Sequence, residues 1–328
     1  MWVAGSVPGA QDTGQSLTLS YAVGNAAGMS SPPPLTTVLI PTCKGDIYTA
    51  PFQFAGYTVQ DQAFRQSPSL PSFYPAYSVN TVLVANMTSF STNIDAEGYD
   101  GLIGLGPNSG SSIYKKLSGN SGNSPINRIF QQNSSDDDYI TLMLSRKGDP
   151  GSQIAGQFTI SSIVPGFENI MNQPQLPILK VYKLTSKDQH WQVLTDKDTG
   201  IIGPDGQPIQ YDSIVPKAPN GQLVAVLDSG FTLPQVPRSV SDAIYGRVQG
   251  AEWSPSSQAW LVPCGQLINV TLNFGGISYP VHPLDVSSSD FGVKFSNGNP
   301  ACLGTVSHFW EVLSIPNLSS VPTYQLGL

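Results

Sequence analysis

Asp12-Thr13-Gly14 and Asp228-Ser229-Gly230 carry residue types that could do acid–base chemistry. Asp228-Ser229-Gly230 follows the apolar run Val224–Leu227, so the sequence predicts a carboxylate at the end of a buried strand. The small residues after this aspartate allow a tight turn, whose backbone N–H groups can hold the carboxylate in place. A carboxylate fixed in this way can take a proton from a reacting group or give one to it.

Asp12-Thr13-Gly14 has similar residue types in a different setting. It follows Ala10-Gln11 rather than an apolar run, so we predict a solvated turn in a loop instead of a second site. The sequence therefore places one carboxylate, that of Asp228, in surroundings that suit catalysis.

Other kinds of catalytic site have little support in the sequence. His190, His282 and His308 are the only histidines, and they are too dispersed for a metal-binding pattern. Asp136-Asp137-Asp138 lacks the spaced oxygen ligands of a calcium loop and is predicted to be a solvated loop. No Gly-x-Ser-x-Gly elbow is present for a serine nucleophile. We predict neither a metal site nor a cofactor.

The composition predicts the elements that must position Asp228. Charged residues make up 11% of the 328 residues, against about 25% in an average domain. The 32 glycines and 28 prolines exclude a protein built of long helices, and the 40% hydrophobic content excludes general disorder. We predict an all-β protein with many short strands.

The same composition limits the partners. The net charge of −7 leaves no basic face for a nucleic acid. No stretch approaches the roughly 18 apolar residues of a membrane span.

Local patterns predict several strands and few helices. Residues 16–23 alternate polar and apolar and reach Gly24-Asn25, a hairpin signal, and residues 46–54 are the predicted return strand. A third strand is predicted at residues 81–85. A second hairpin is predicted at residues 270–281 around Gly275-Gly276.

Two short helices and one join complete this pattern. The helices are predicted at residues 112–117 and 239–248, the second with Ser239 as its N-cap. The polar, turn-rich residues 166–177 are the predicted join between two halves.

A second apolar and glycine-rich segment accompanies the Asp228 turn. Tyr99-Asp100-Gly101-Leu102-Ile103-Gly104-Leu105-Gly106-Pro107 lies about half a chain upstream. Together, these segments resemble the pepsin-like aspartic endopeptidases, most closely the secreted fungal branch. The resemblance implies two antiparallel β lobes with a cleft between them, at residues 1–175 and 176–328.

The resemblance also implies roles for single residues. Asp228 matches the second catalytic aspartate, supported in its turn by Ser229, Gly230 and Thr232. Tyr21 matches the tyrosine of the flap that closes over the substrate. Cys264 and Cys302 match the disulfide of the second lobe, which leaves Cys43 unpaired.

The implied chemistry needs two aspartates that share one proton. One carboxylate takes a proton from a trapped water, which attacks the peptide carbonyl, while its protonated partner supports the oxyanion. In the family, a Met-Trp-Val-like segment follows the first catalytic triplet, and Met1-Trp2-Val3 matches that segment. We therefore expect the chain to begin just after its first catalytic aspartate and to be inactive as written.

Two further departures suggest introns translated into protein. Residues 29–45 form a suspected insertion in the flap hairpin, since their removal restores a short hairpin. After Thr305 the family has a Leu-Gly-Asp-containing segment that crosses behind the second site, and residues 308–328 do not resemble it. We expect the final strands of the second lobe to be missing.

The resemblance implies a polypeptide substrate, a monomer, and a secreted or vacuolar location, although the amino terminus has no signal peptide pattern. Four N-glycosylation sequons, at Asn86, Asn133, Asn269 and Asn317, also favour secretion. The alternative is a non-catalytic pseudo-peptidase that binds peptides or an inhibitor in the cleft. A β-type carbohydrate-binding module is a third possibility, but it leaves the Asp228 and Asp100 segments unexplained.

Overall fold

The computed structural model describes residues 7, 9–20, 42–65, 103–132, 137–146, 156–180, 189–213, 215, 217–229, 233–308 and 325–326. The chain divides into two compact units. The first unit comprises Met1–Arg146 and Ser152–Met171, and the second comprises Lys147–Gly151 and Asn172–Leu328. The assignment of residues 1–175 and 176–328 to two catalytic lobes stays a prediction.

Short strands in mainly antiparallel sheets dominate the described residues, which confirms the all-β prediction. In the first unit the strands are β1 Gln11–Ser20, β2 Thr42–Phe54, β3 Tyr57–Arg65, β4 Ile140–Met143 and β5 Gln157–Ile160. In the second unit they are β6 Gln192–Leu194, β7 Ile201–Ile202, β8 Val224–Leu227, β9 Gln235–Val236, β10 Glu252–Ser254, β11 Ala259–Val262, β12 Val270–Phe274, β13 Ile277–Val281, β14 Ser287–Ser288, β15 Cys302–Gly304, β16 Ser307–His308 and β17 Gln325–Leu326.

Helices are few and short. The α-helices are α1 Ser112–Lys116, α2 Pro125–Phe130, α3 Arg238–Tyr245 and α4 Pro283–Val286, and short 3-10 turns occur at Asn108–Gly110, Asn120–Gly122 and Glu168–Asn172. Helix α3 begins directly after Pro237, which has an extended conformation and provides no side-chain cap. The Ser239 cap prediction is therefore wrong, because the proline places the helix start earlier and Ser239 falls inside the first turn.

In the first unit, β1, β2 and β3 form an antiparallel sheet with β2 in the centre. Alternate side chains of β2 and β3, such as Phe52 and Val59, pack with Ile126 and Ile129 of α2 and Ile160 of β5 into one hydrophobic core. Helix α2 is started by Ser124, whose Oγ accepts from the N–H of Asn127 at 3.3 Å.

The first hairpin departs from its prediction at both ends. Strand β1 begins at Gln11 rather than residue 16, and β2 begins at Thr42, inside the suspected insertion. Residues 42–45 pair with β1 in regular register. The insertion itself stays a prediction, and its remaining part, like the predicted strand at residues 81–85, lies outside the described residues.

In the second unit, separate small sheets surround one large core. The orders are β17-β8-β6, β13-β12-β7 and β10-β11-β15-β14, and β16 pairs with β9. The predicted hairpin at residues 270–281 is confirmed as β12 and β13. Gly275 and Gly276 form its turn with φ of 60° and 80°, values that favour glycine at both positions.

The predicted disulfide is present in the second unit. Cys264 is bonded to Cys302, with a Cα–Cα distance of 5.0 Å. The bond links the segment that follows β11 to the start of β15, so it closes a chain segment whose buried residues, such as Val270 and Val286, belong to the large core.

Candidate active site

Asp228 directly follows the central strand of a three-stranded sheet. Val224, Ala225 and Val226 of β8 are at most 2% exposed, and β8 pairs with β6 on one side and β17 on the other. Apolar and β-branched residues suit a strand that is covered on both faces. Asp228 is half-buried at the carboxyl end of this strand, the position that the apolar run predicts.

The chain after Asp228 is fixed again a few residues later. Ser229 is exposed, whereas Gly230 and Thr232, two predicted supports of the turn, lie outside the described residues. The carbonyl of Pro234 accepts from the N–H of Ser307 at 2.9 Å and from its Oγ at 3.2 Å. Strand β9, which follows at once, pairs in parallel with β16. The Asp228 turn is thus anchored by a strand on each side.

Helix α3 holds the strand that anchors the turn. The hydroxyl of Tyr245 donates to the carbonyl of Val286 at 2.7 Å and accepts from the N–H of Val306 at 2.9 Å. Ser241 Oγ donates to the carbonyl of Val306 at 3.0 Å. Both polar groups of Val306 are therefore bound by α3, immediately before β16.

Tyr245 also explains a glycine in β15. Tyr245 is fully buried, and a Cβ atom added at Gly304 would lie 2.7 Å from its Cζ. A side chain at residue 304 would therefore displace the ring. Burial raises the pKa of Tyr245 well above its usual value, so the hydroxyl keeps its proton for the bond to Val286.

A second tyrosine of the same core, Tyr211, also has a raised pKa. Burial raises the pKa of Tyr211, and the negative charges of Asp198 and Asp196 add to this increase, while the bond to Thr195 opposes it. Tyr211 and Thr195 are 3.1 Å apart through their hydroxyl oxygens.

The second strand beside Asp228 is an element that the sequence reasoning missed. Gln325 and Leu326 of β17 pair in parallel with Val226 and Leu227. A segment crossing behind the second site was expected after Thr305 and not found in the sequence. The signal that could have revealed it is Leu326-Gly327, which shares the Leu-Gly pair of the expected segment but not its aspartate.

Asp12 lies in a strand bulge on the surface. The β1–β2 register shifts between Asp12 and Gln15, and Gly14 in the bulge has φ of 67°. The Asp12 Oδ1 atom accepts from the N–H of Gly14 at 2.8 Å, and Asp12 is exposed. The carboxylate is solvated as expected, but it belongs to β1 rather than to a loop before it.

The remaining predicted site residues are described in part. Ile103 and Leu105 of the upstream glycine-rich segment pack against the core of the first unit, whereas residues 99–102 lie outside the described residues. Tyr21, the predicted flap residue, also lies outside them.

The described residues contain no group of three or more histidine, cysteine or acidic side chains arranged to hold a metal ion. Within the same residues, every helix is too short or too polar to cross a membrane.

Comparison with known proteins agrees with the resemblance. The family model described as eukaryotic aspartyl protease matches residues 41–310, which is most of the chain. The chain is also 23% identical over 300 residues to "Major aspartyl peptidase 1" of Cryptococcus neoformans var. grubii, covering 89% of this chain and 53% of that protein. The chain thus spans about half the length of this curated relative. It belongs to the eukaryotic aspartyl protease family.

Proposed function

We propose that this chain provides the Asp228 half of an acid-acting aspartic endopeptidase site. The observation that supports this proposal best is the position of Asp228. It follows a buried strand that is paired on both sides, within the region that matches the aspartyl protease family. A carboxylate held in this way has the fixed direction that proton transfer in a transition state requires.

In the proposed reaction, Asp228 shares one proton with a second aspartate. The ionised member of the pair takes a proton from a water molecule, and that water attacks the carbonyl of a polypeptide substrate. The protonated member donates to the developing oxyanion. Ser229, Gly230 and Thr232 would hold the turn, and Tyr21 would close over the substrate. This chemistry needs no cofactor.

We further propose that a polypeptide of these 328 residues does not cleave peptides by itself. Asp12 is a poor partner for Asp228, because its carboxylate is exposed and already accepts from Gly14 in its own bulge. In a polypeptide of these residues the cleft would bind peptides or an inhibitor as a monomer without cleaving them. This is the pseudo-peptidase alternative.

The natural transcript and its product test the enzymatic proposal. We expect the product of the complete transcript to digest a denatured protein at acid pH, and Asp228→Asn to abolish this digestion. The substitution keeps the size of the side chain, so a matched thermal unfolding curve controls for folding. Undiminished digestion by Asp228→Asn would remove Asp228 from the reaction. A full-length transcript whose product binds peptides without cleaving them would establish the pseudo-peptidase.

We propose a secreted or vacuolar location. The Cys264–Cys302 bond supports it, since disulfides persist in oxidising compartments. Asn269 of the sequon Asn269-Val270-Thr271 is exposed, so a glycan is accommodated there. Protein from a fungal secretion host should lose mass on Asn269→Gln and on Thr271→Ala, but not on Thr271→Ser. An unchanged mass in the first two variants would contradict glycosylation at Asn269.

A further inference from the structure

His190 lies two residues before β6, and Asp228 directly follows β8. Strands β6 and β8 are antiparallel, with Gln192 opposite Val226 and Val193 opposite Ala225. The N–H of Leu227 donates to the carbonyl of Trp191 at 2.8 Å, so contact between the two segments reaches one residue beyond the paired strands, to a bend at Trp191. The next residues in this register are Asp228 on one chain segment and His190 on the other.

The hydrogen bonds between the two segments indicate which type of cross-strand pair a continued register would form. The N–H of Thr195 donates to the carbonyl of Leu223 at 3.0 Å, and the Leu227–Trp191 bond lies four residues further along. Antiparallel pairs alternate between hydrogen-bonded and non-hydrogen-bonded, so the same register, continued to the next residues, would make His190 and Asp228 a non-hydrogen-bonded pair. In such pairs the Cα atoms are about 4.5 Å apart and the side chains point to the same face.

The surroundings hold this pair and present further polar groups. Gln189 Nε2 donates to the carbonyls of His190 at 2.8 Å and Leu179 at 3.0 Å, which fixes the backbone beside the imidazole. Gln192, on the same face, is 4% exposed, and its Oε1 has no hydrogen-bond partner among the described residues. His190 and Asp228 are both half-buried, so their interaction is only partly screened by water.

We propose that His190 is a positioning residue whose imidazole pairs with the Asp228 carboxylate across the two strands. Its consequence for catalysis rests on the proposed function. An aspartic endopeptidase that works at acid pH would carry this histidine as a cation, since histidine ordinarily titrates near pH ~6.5. The imidazolium would then donate a charge-assisted hydrogen bond that orients the carboxylate.

The other charged groups around the imidazole are few. In the part of the chain that the structure describes, the charged residue on the extended segment beside β6 is the exposed Lys180. Strand β17, on the far side of β8, contributes Gln325 and Leu326, which carry no charge. Asp228 is therefore the described carboxylate that the register places against His190.

A disulfide trap tests the register. In a Cys43→Ser background, the double variant His190→Cys with Asp228→Cys should form a new disulfide under mild oxidation, because non-hydrogen-bonded cross-strand pairs match disulfide geometry. The matched control, His190→Cys with Ser229→Cys, shifts the partner by one residue to the opposite face. Cross-linking of the control in preference to the 190–228 pair, or of neither pair, would overturn the proposal.

An NMR titration tests the ionic interaction in the folded protein. The three imidazoles are assigned with His190→Gln, and His190 is titrated in the native chain and in Asp228→Asn. We expect the midpoint of His190 to move to lower pH by at least ~0.5 unit when the carboxylate charge is removed. Asp290→Asn, in the turn two residues after β14, is the charge-matched control and should leave the midpoint unchanged. An unchanged midpoint in Asp228→Asn would refute the pairing. Neither readout needs turnover, so their failure would leave the proposed function standing.

Discussion

Two turns with nearly the same sequence, Asp12-Thr13-Gly14 and Asp228-Ser229-Gly230, have different surroundings in this protein. The first lies in β1, an edge strand with exposed residues on both sides of the bulge. The second follows β8, a central strand with three buried residues before its last position. The tripeptide provides the same type of carboxylate in both places. The preceding strand decides whether that carboxylate is solvated or held.

The two turns also differ in the hydrogen bonds and strands that support them. Thr13 Oγ1 donates to the carbonyl of Ile47 at 2.6 Å, and this bond ties the first turn to a single neighbouring strand. The second turn is followed by β9, which is held by β16 and, through Val306, by the side chains of α3. We therefore expect substitutions in the support of the second turn to cost far more stability than those in the first.

The largest effect is expected from Tyr245→Phe. The variant removes the hydroxyl that binds both Val286 and Val306. The buried N–H of Val306 then loses its partner, while the Val286 carbonyl keeps only the bond from the N–H of Thr305 at 3.1 Å. We expect the free energy of unfolding of the second unit to fall by about 1–3 kcal/mol. Urea unfolding measures it, and Tyr279→Phe at a partly exposed tyrosine is the matched control. A loss below about 0.5 kcal/mol in Tyr245→Phe would contradict the role of this hydroxyl.

Alkaline pH should weaken the same unit through the same tyrosine. The pKa of Tyr245 is raised in the folded state, so above pH ~10 the unfolded chain releases a proton that the folded chain keeps. The stabilisation is complete below pH ~10 and is lost as pH rises, by up to about 1.4 kcal/mol per pH unit. Tyr211, with its pKa also raised, adds in the same direction. Unfolding measured at several values between pH 9 and 11 should show a shallower decline in Tyr245→Phe. An equally steep loss of stability in the unaltered chain and in Tyr245→Phe would argue against Tyr245 as its cause.

The sequence predicted the parts of the fold that depend on neighbours along the chain. Strand β8 and the hairpin around Gly275-Gly276 follow from an apolar run and from a turn that requires positive φ. The partners of β8 and β9 could not be predicted in this way. Strands β16 and β17 are distant in sequence, and two-residue strands carry no periodic pattern. The proposed opposition of His190 and Asp228 likewise depends on the register between distant segments, which the sequence alone does not fix.

A smaller effect is expected at the first turn. Thr13→Val removes the bond to Ile47 from a partly buried site and should lower the free energy of unfolding of the first unit by about 0.5–1.5 kcal/mol. Thr141→Val in the same unit, which removes the contact with the Thr159 hydroxyl, provides a comparison at a strand pair without a bulge. A loss at Thr13→Val as large as that at Tyr245→Phe would erase the contrast between the two turns.

The smallest effect is expected from Asp12→Asn. The amide oxygen of asparagine can accept the same bond from the Gly14 N–H, and the side chain is exposed, so the change should stay within about 0.5 kcal/mol. Thermal unfolding of the unaltered chain and of Asp12→Asn measures this change in stability. A larger loss would show that the Asp12 charge has a structural partner beyond its own turn.

Acid proteolysis by a polypeptide of residues 1–328 tests the contrast between the two aspartates most directly. The purified chain is incubated with a denatured protein at several values between pH 3 and 5, beside its Asp12→Asn and Asp228→Asn variants. We predict that all three fail to digest the substrate, because the Asp12 carboxylate is exposed and accepts from Gly14 in its own bulge, which makes it a poor partner for Asp228. Digestion by the unaltered chain that both substitutions abolish would contradict this prediction and would make Asp12 the second catalytic carboxylate.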